Sequence, residues 1–217
     1  MAQAFMPDRA VLFIDGNNWY HSLKDVGLTD VGRLSYATIS KKLIGPRDWT
    51  ATRYYIGQVQ QRGNPRLYAD QRAFVASLQA TDRRISVHFG RLETRQAKNE
   101  AAEELLHYLN AMPTRIDSGV YKDLLALAHR HRVTSVVVEK AVDVMLAVDM
   151  VVMAERDHLD AAYILSADGD FTHAAQAVRS LGKKVYAASP LSGAQLAAAV
   201  NTFIHLPPAW FGDCYIP

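Results

Sequence analysis

One cysteine, Cys214, stands in a chain of 217 residues. No internal disulfide can form, so a disulfide-stapled secreted scaffold is excluded and a reducing cytoplasm is the expected setting. Its place near the C-terminus makes Cys214 a poor catalytic nucleophile. No cluster of His and Cys has the spacing of a zinc site. No apolar stretch is long and unbroken enough to span a bilayer, so no membrane partner is expected. The apolar run 142–154 is interrupted by Asp143 and Asp149 and reads as a core helix. The first residues, Met1-Ala2-Gln3-Ala4-Phe5, lack the basic and apolar regions of a signal peptide. Lysine is missing from residues 47–95, which carry nine Arg against four acids, a local net of +5 inside an overall +2. Residues 139–170 show the opposite bias: eight acids against Lys140 and Arg156. An acidic centre beside an Arg-rich region suits a cation and a polyanionic ligand, although a solvated Arg surface has the same charge signature.

What the chain does contain is an α/β rhythm. Hydrophobic residues at 49% supply a core for one generous domain or a domain with an insertion. Strands are expected at 10–14, 52–59, 85–92, 133–139 and 161–166, with Lys183 to Ala188 as the last one. Helices are expected at 17–25, 35–44, 67–80, 141–156, 171–181 and 192–200, with Gly182 closing the fifth of them. Asn17 or Asn18 is the expected cap of the first helix. In the helix 67–80, Leu67, Phe74, Leu78 and the alanines should face inward. Pro207-Pro208 should leave the tail irregular. Strands alternating with helices imply a mainly parallel sheet with helices on both faces. Residues 97–132 break the rhythm: two polar helices, 98–111 and 118–131, are separated by Met112-Pro113-Thr114. They read as an insertion between a strand and its continuation, acting as a lid, a dimerisation arm or a substrate-facing wall.

The chemistry concentrates where strands end. Val11-Leu12-Phe13-Ile14 runs into Asp15-Gly16-Asn17-Asn18, and Tyr163-Ile164-Leu165-Ser166 runs into Ala167-Asp168-Gly169-Asp170. Parallel α/β sheets place their sites outside the carboxyl ends of their strands. Clustered carboxylates repel one another, and a divalent cation is the usual offset. The plain alternative is that Asp15, Asp168 and Asp170 cap the helices that follow them. Asp143 sits on an otherwise apolar helix, where it needs a partner, and Lys140, three residues earlier, is one candidate. Asp149 lies some 120° around that helix from Asp143, so it should bind a neighbouring backbone or a supporting group. Arg53, Arg62, Arg66 and Arg72 are candidates for phosphate contacts. Trp19, Tyr54 and Tyr55 would stack on bases if exposed, with core packing the competing reading.

Taken in order, Phe13-Ile14-Asp15-Gly16-Asn17-Asn18, Glu139-Lys140-Ala141-Val142-Asp143-Val144, Leu165-Ser166-Ala167-Asp168-Gly169-Asp170-Phe171 and Leu181-Gly182-Lys183-Lys184-Val185 resemble the LabA-like NYN-domain family, relatives of the PIN-like nucleases. The likeness covers about residues 9–95 and 133–206. Glycine usually follows the family's lysine, and Ala141 stands there in this chain. The 97–132 segment has no counterpart in the family.

The resemblance implies a three-layer α/β/α fold and a single domain over residues 1–217, with 97–132 inserted. It implies a Mg²⁺- or Mn²⁺-dependent ribonuclease. By matching motif, Asp15, Asp143 and Asp168 are the acidic catalytic and metal residues, Asp170 is a further ligand, direct or through water, and Asn18, Ser166 and Lys140 support them. The expected products are a 5′-phosphate and a 3′-hydroxyl. Homo-oligomers through 97–132 are one option. Two other readings compete. One is a non-catalytic regulatory module that keeps the acidic cleft and binds RNA or protein. The other is a phosphatase of haloacid-dehalogenase type. That chemistry wants an Asp two residues after the nucleophile, and Asn17 stands there.

Overall fold

The computed structural model describes residues 7–111 and 117–216. The expectations for the first five residues and for the Met112-Pro113-Thr114 break lie outside them. The chain divides into two compact units, Met1–Arg91 with Lys140–Pro217, and Leu92–Glu139.

β1 (Arg9–Asp15) is the central strand of the first unit, and Ala10 to Ile14 are fully buried. A strand covered on both faces needs apolar side chains at successive positions rather than at alternate ones, and Val11-Leu12-Phe13-Ile14 provides them. α1 (Gly16–Asp25) follows at once, capped by Asp15, whose carboxylate accepts from the Asn18 backbone N–H. Neither Asn17 nor Asn18 is the cap: the chain is already helical at Gly16. A Cβ at Gly16 would lie 2.6 Å from the Tyr55 carbonyl oxygen, so the helix can leave the strand this tightly only from glycine. α2 (Tyr36–Ile44) is capped by Ser35 and buries Tyr36, Ile39, Leu43 and Ile44.

β2 (Asp48–Gln58), α3 (Pro65–Thr81) and β3 (Ile85–Lys98) come next. α4 (Glu100–Ala111), α5 (Ser118–Arg130) and β4 (Val133–Lys140) follow. α6 (Val142–Glu155), β5 (Ala161–Leu165), α7 (Thr172–Ser180) and β6 (Lys184–Ser189) restore the alternation. α8 (Ala194–Ala199) and β7 (Thr202–His205) complete it. The seven strands form one sheet in the order β4-β3-β2-β1-β5-β6-β7. β1 pairs in parallel with β2 and β5, β2 with β3, β5 with β6, and β6 with β7. This is the expected mixed α/β architecture with a mainly parallel sheet flanked by helices.

Two apolar cores sit on opposite sides of β1. Leu12, Ile14, Trp19, Tyr36, Ile39 and Tyr54 lie in one. Val11, Phe13, Tyr55, Leu146, Met150 and Phe171 lie in the other, beneath α6 and α7. In the second unit, α4 packs against α5, with Leu106, Leu109 and Ala128 buried and Arg132 paired with Glu103 at 2.5 Å.

Several local expectations are corrected. β3 runs on to Lys98 instead of ending near residue 92. β6 is not the last strand, because Thr202–His205 pairs in parallel with it. The tail is not irregular: Pro208–Phe211 is a 3₁₀ turn with Phe211 fully buried against Trp19. In α3 only Leu78 is buried, while Leu67 is half exposed and Ala69, Ala73, Ala76 and Ala80 face solvent. Alanine is compatible with either environment, so its spacing carried no information about the inward face.

Candidate active site at the carboxyl ends of β1 and β5

β1 and β5 are hydrogen-bonded neighbours, with Ile14 opposite Leu165. Their carboxyl ends therefore deliver Asp15 and Ser166 side by side. Asp15 is only 3% exposed. One carboxylate oxygen accepts from the Asn18 N–H at 3.3 Å and the other from the Ser166 hydroxyl at 3.3 Å. That hydroxyl in turn accepts from the Asp168 N–H at 3.1 Å. The Asn18 side-chain oxygen accepts from the Ala167 N–H at 3.4 Å. Asn18 and Ser166 thus stitch the end of β1 to the loop after β5. Asp168 caps the 3₁₀ turn Gly169–Phe171, accepting from the Asp170 N–H at 2.9 Å. Asp15 and Asp168 do act as caps.

Asp143 enters from the first turn of α6, on the exposed side of that helix. Partial desolvation, then the negative charges of Asp168 and Asp170, raise its pKa above the ordinary carboxylate value. Asp143 is thus within electrostatic reach of Asp168 and Asp170 in the loop after β5. Among the described residues, however, no three His, Cys, Asp or Glu side chains are grouped tightly enough to hold a metal ion.

Lys140 is the last residue of β4, not a residue of α6. Ala141 between them is left-handed, with φ 70°. The helical spacing that placed Lys140 and Asp143 on one face does not apply.

The Arg and aromatic candidates fare differently. Arg53 donates to Asp149 at 2.7 Å and to the Tyr55 hydroxyl at 2.9 Å, and Tyr55 donates to the same Asp149 oxygen at 2.8 Å. Arg53 is therefore a partner of α6, engaged before any phosphate arrives. Asp149 binds these two side chains and not a neighbouring backbone. Burial pushes the Tyr55 phenol far above its ordinary pKa. Its ring stacks on His88 at 4.9 Å, and His88 meets the Ser86 hydroxyl at 3.0 Å. Trp19, Tyr54 and Tyr55 are all core residues, which removes them as base-stacking candidates. Arg62, Arg66 and Arg72 are exposed and form no ion pair among the described residues.

Two features escaped the sequence reading. The Arg53–Tyr55–Asp149 cluster joins residues nearly a hundred positions apart, and only the unexplained Asp149 hinted at it. Gln195 of α8 packs its amide where a Cβ of Gly169 would be, between Asp168 and Asp170. No spacing signal marks that residue.

The NYN domain model matches residues 126–207, which contain Asp143, Ser166, Asp168 and Asp170. In structure the chain is similar to a protein of unknown function, VPA0982, from Vibrio parahaemolyticus RIMD 2210633. The TM-score is 0.55 at 12% identity, over 95% of this chain and 97% of that one, a likeness of fold alone. No curated protein matches the chain in sequence.

Proposed function

We propose that the chain is a divalent-metal-dependent ribonuclease. We read it as one NYN domain that carries residues 97–132 as an insertion. The observation that supports the reading is the hydrogen-bonded chain from Asp15 through Ser166 to Asp168 at the carboxyl ends of β1 and β5, with Asp143 of α6 raised by burial and then by the charges of Asp168 and Asp170. NYN domains belong to the PIN-like nucleases, and the matched residues include three of these four acids.

The donor set suits a hard cation: all candidate ligands are carboxylate oxygens, and their mutual repulsion is the penalty a dication removes. Mg²⁺ retains several waters and is commonly held through one or two carboxylates, so a tight three-ligand cage is not required. Asp143, Asp168 and Asp170 would hold Mg²⁺ or Mn²⁺, with Asp15 acting directly or through water. When bound, such an ion supplies a nucleophilic water at neutral pH and stabilises charge on the phosphorus oxygens. The chain's own residues do the rest. Ser166 donates to Asp15 and keeps its carboxylate oriented. Asn18 ties the loop after β5 to α1, so that Asp168 and Asp15 keep a fixed relation. Lys140, at the end of β4, adds positive charge for an incoming phosphate.

RNA incubated with the purified chain and Mg²⁺ or Mn²⁺ should be cut to 5′-phosphate ends, and EDTA should stop it. Asp168→Asn and Asp143→Asn should each lower the rate by at least a hundredfold with the fold intact by circular dichroism. Intact RNA with several RNA types and both metals would sink the proposal. A second reading rests on a specific observation, the lack of a tight acidic metal group among the described residues. In that reading the crevice binds RNA or protein without turnover. Tight binding with no cleavage, unchanged in Asp168→Asn, would favour it.

A further inference from the structure

α5 carries two apolar stripes where a surface helix needs one. Tyr121, Leu125 and Ala128 recur at helical spacing; Ala128 is buried and the other two are half-buried, on the side where α4 packs. Val120, Leu124 and Leu127 recur at the same spacing. Leu124 is half-buried, but Val120 is 51% exposed and Leu127 45% exposed. A helix at a surface normally gives the circumference outside its buried stripe to polar residues. The second stripe of α5 therefore presents apolar side chains that the packing with α4 does not use.

An open groove of about 410 Å³ lies over this stripe, lined by Val120, Asp123, Leu124, Ala126, Leu127 and Arg130. Asp123 and Arg130 are exposed, and neither forms an ion pair among the described residues. They stand two turns apart on nearly the same face, about 10 Å along the axis, too far to pair with each other. Ala126, between them, is short enough to let another helix approach closely. The groove thus has opposite charges at its two ends and an apolar middle. That arrangement is complementary to itself. A second α5 laid antiparallel, with a twofold axis near Ala126, sets Asp123 against Arg130 of the partner subunit, and the symmetry repeats the pair. A parallel partner would set like charges against each other.

We infer that this face of α5 is a homodimer interface: it packs antiparallel on α5 of a second copy of the chain, with Val120 and Leu127 at its centre and two Asp123–Arg130 pairs at its rim. α5 has 13 residues and is about 20 Å long. One stripe of that length buries less than the roughly 800 Å² per partner of a standard interface. The dimer is therefore reversible, with a dissociation constant on the order of micromolar, and its population follows protein concentration. The interface lies within Leu92–Glu139 and uses none of the acids at the ends of β1 and β5. It does not rest on the ribonuclease reading.

The test is sedimentation velocity of the full chain from about 1 to about 300 μM, a range that brackets a micromolar dissociation constant. The wild type should pass from monomer to dimer across it. Leu127→Glu should stay monomeric throughout. Asp123→Arg and Arg130→Glu should each weaken the dimer about tenfold, because each sets two like-charged pairs against one another across the axis. The double variant Asp123→Arg/Arg130→Glu should recover to within about threefold of the wild type, since the same two pairs form with their signs exchanged. That recovery also separates a broken interface from a misfolded helix, because two damaging substitutions do not refold each other. A wild-type chain that is monomeric at every concentration overturns the inference. So do single variants that dimerise as the wild type does, or a double variant no better than either single one. The readout is mass alone, so loss of the nuclease reading would leave each of these outcomes as it is.

Discussion

Ala141 holds a left-handed backbone, φ 70°, between β4 and α6. Asp30 and Asp157 are the other such non-glycine residues among those described, and short polar side chains tolerate that region better than a methyl group does. Glycine is what the resembling family places here, and the dihedral supplies the reason. Ala141→Gly should therefore stabilise the chain by about 0.5–1 kcal/mol in urea denaturation, part of the relief being offset by added freedom in the unfolded chain. Asp149 presents the opposite case. Removing it in Asp149→Ala leaves the Arg53 guanidinium and the Tyr55 hydroxyl without their shared acceptor. A loss of about 1–3 kcal/mol is expected, and Asp149→Asn, which keeps an acceptor oxygen, should cost less. His88 adds a pH dependence. Burial, then Arg53, lowers its pKa below the ordinary 6.5, and Asp149 opposes them only partly. The unfolded chain then binds the proton more readily than the folded one. His88's contribution is fully present above pH 6.5 and is lost as pH falls from there toward the folded value. Melting temperatures across that interval should fall less steeply in His88→Gln than in the wild type.

The elements that carry the site were legible where one physical signal dominated. A buried apolar run, leading into Asp15 for β1 and into Ser166 and then Asp168 for β5, identified both strands, because a doubly covered parallel strand has no polar face to hide it. The cap at Asp168 and the closing glycine at Gly182, φ 76°, were readable for the same reason: local geometry demands those residue types. What failed depends on partners remote in the chain. α3 was given an inward face from alanines that either environment accepts, and β7 is too short to announce itself. The seat of α6 was equally hidden. A Cβ at Gly90 of β3 would strike the Val142 side chain and lie 2.7 Å from the Lys140 carbonyl oxygen. Glycine there lets the start of α6, and with it Asp143, settle close to the sheet. Gly90→Ala should destabilise the chain by about 1–3 kcal/mol through overpacking and should lower any cleavage activity with it. Gly63→Ala, in a loop where a Cβ would meet nothing closer than 3.8 Å, is the control expected to change neither. Equal effects of the two substitutions would show that α6 does not depend on this contact.

Across the whole molecule, charge is segregated rather than balanced. Nine arginines fall within 47–95 and eight acids within 139–170, yet the net charge is only +2. Some of that segregation is internal pairing: Arg53 with Asp149, and Arg84 with Asp82 at 2.7 Å, which holds the Asp82 carboxyl down to about 2. Asp143 of α6 is different: burial, then the charges of Asp168 and Asp170, raise its carboxyl above the ordinary value. A fold that keeps such repulsion stores a destabilising interaction that a bound cation would relieve, a pattern associated with function rather than stability. The consequence is measurable without substrate. Mn²⁺ should raise the melting temperature of the wild-type chain in proportion to its binding, approaching about 2.7 kcal/mol of stabilisation at a hundred times its dissociation constant. Asp143→Asn should melt higher than wild type in EDTA, because one repelling charge is gone, and should gain little from Mn²⁺. A variant that is destabilised in EDTA, or that gains from Mn²⁺ as fully as the wild type, would mean that Asp143 does not belong to a shared cation site.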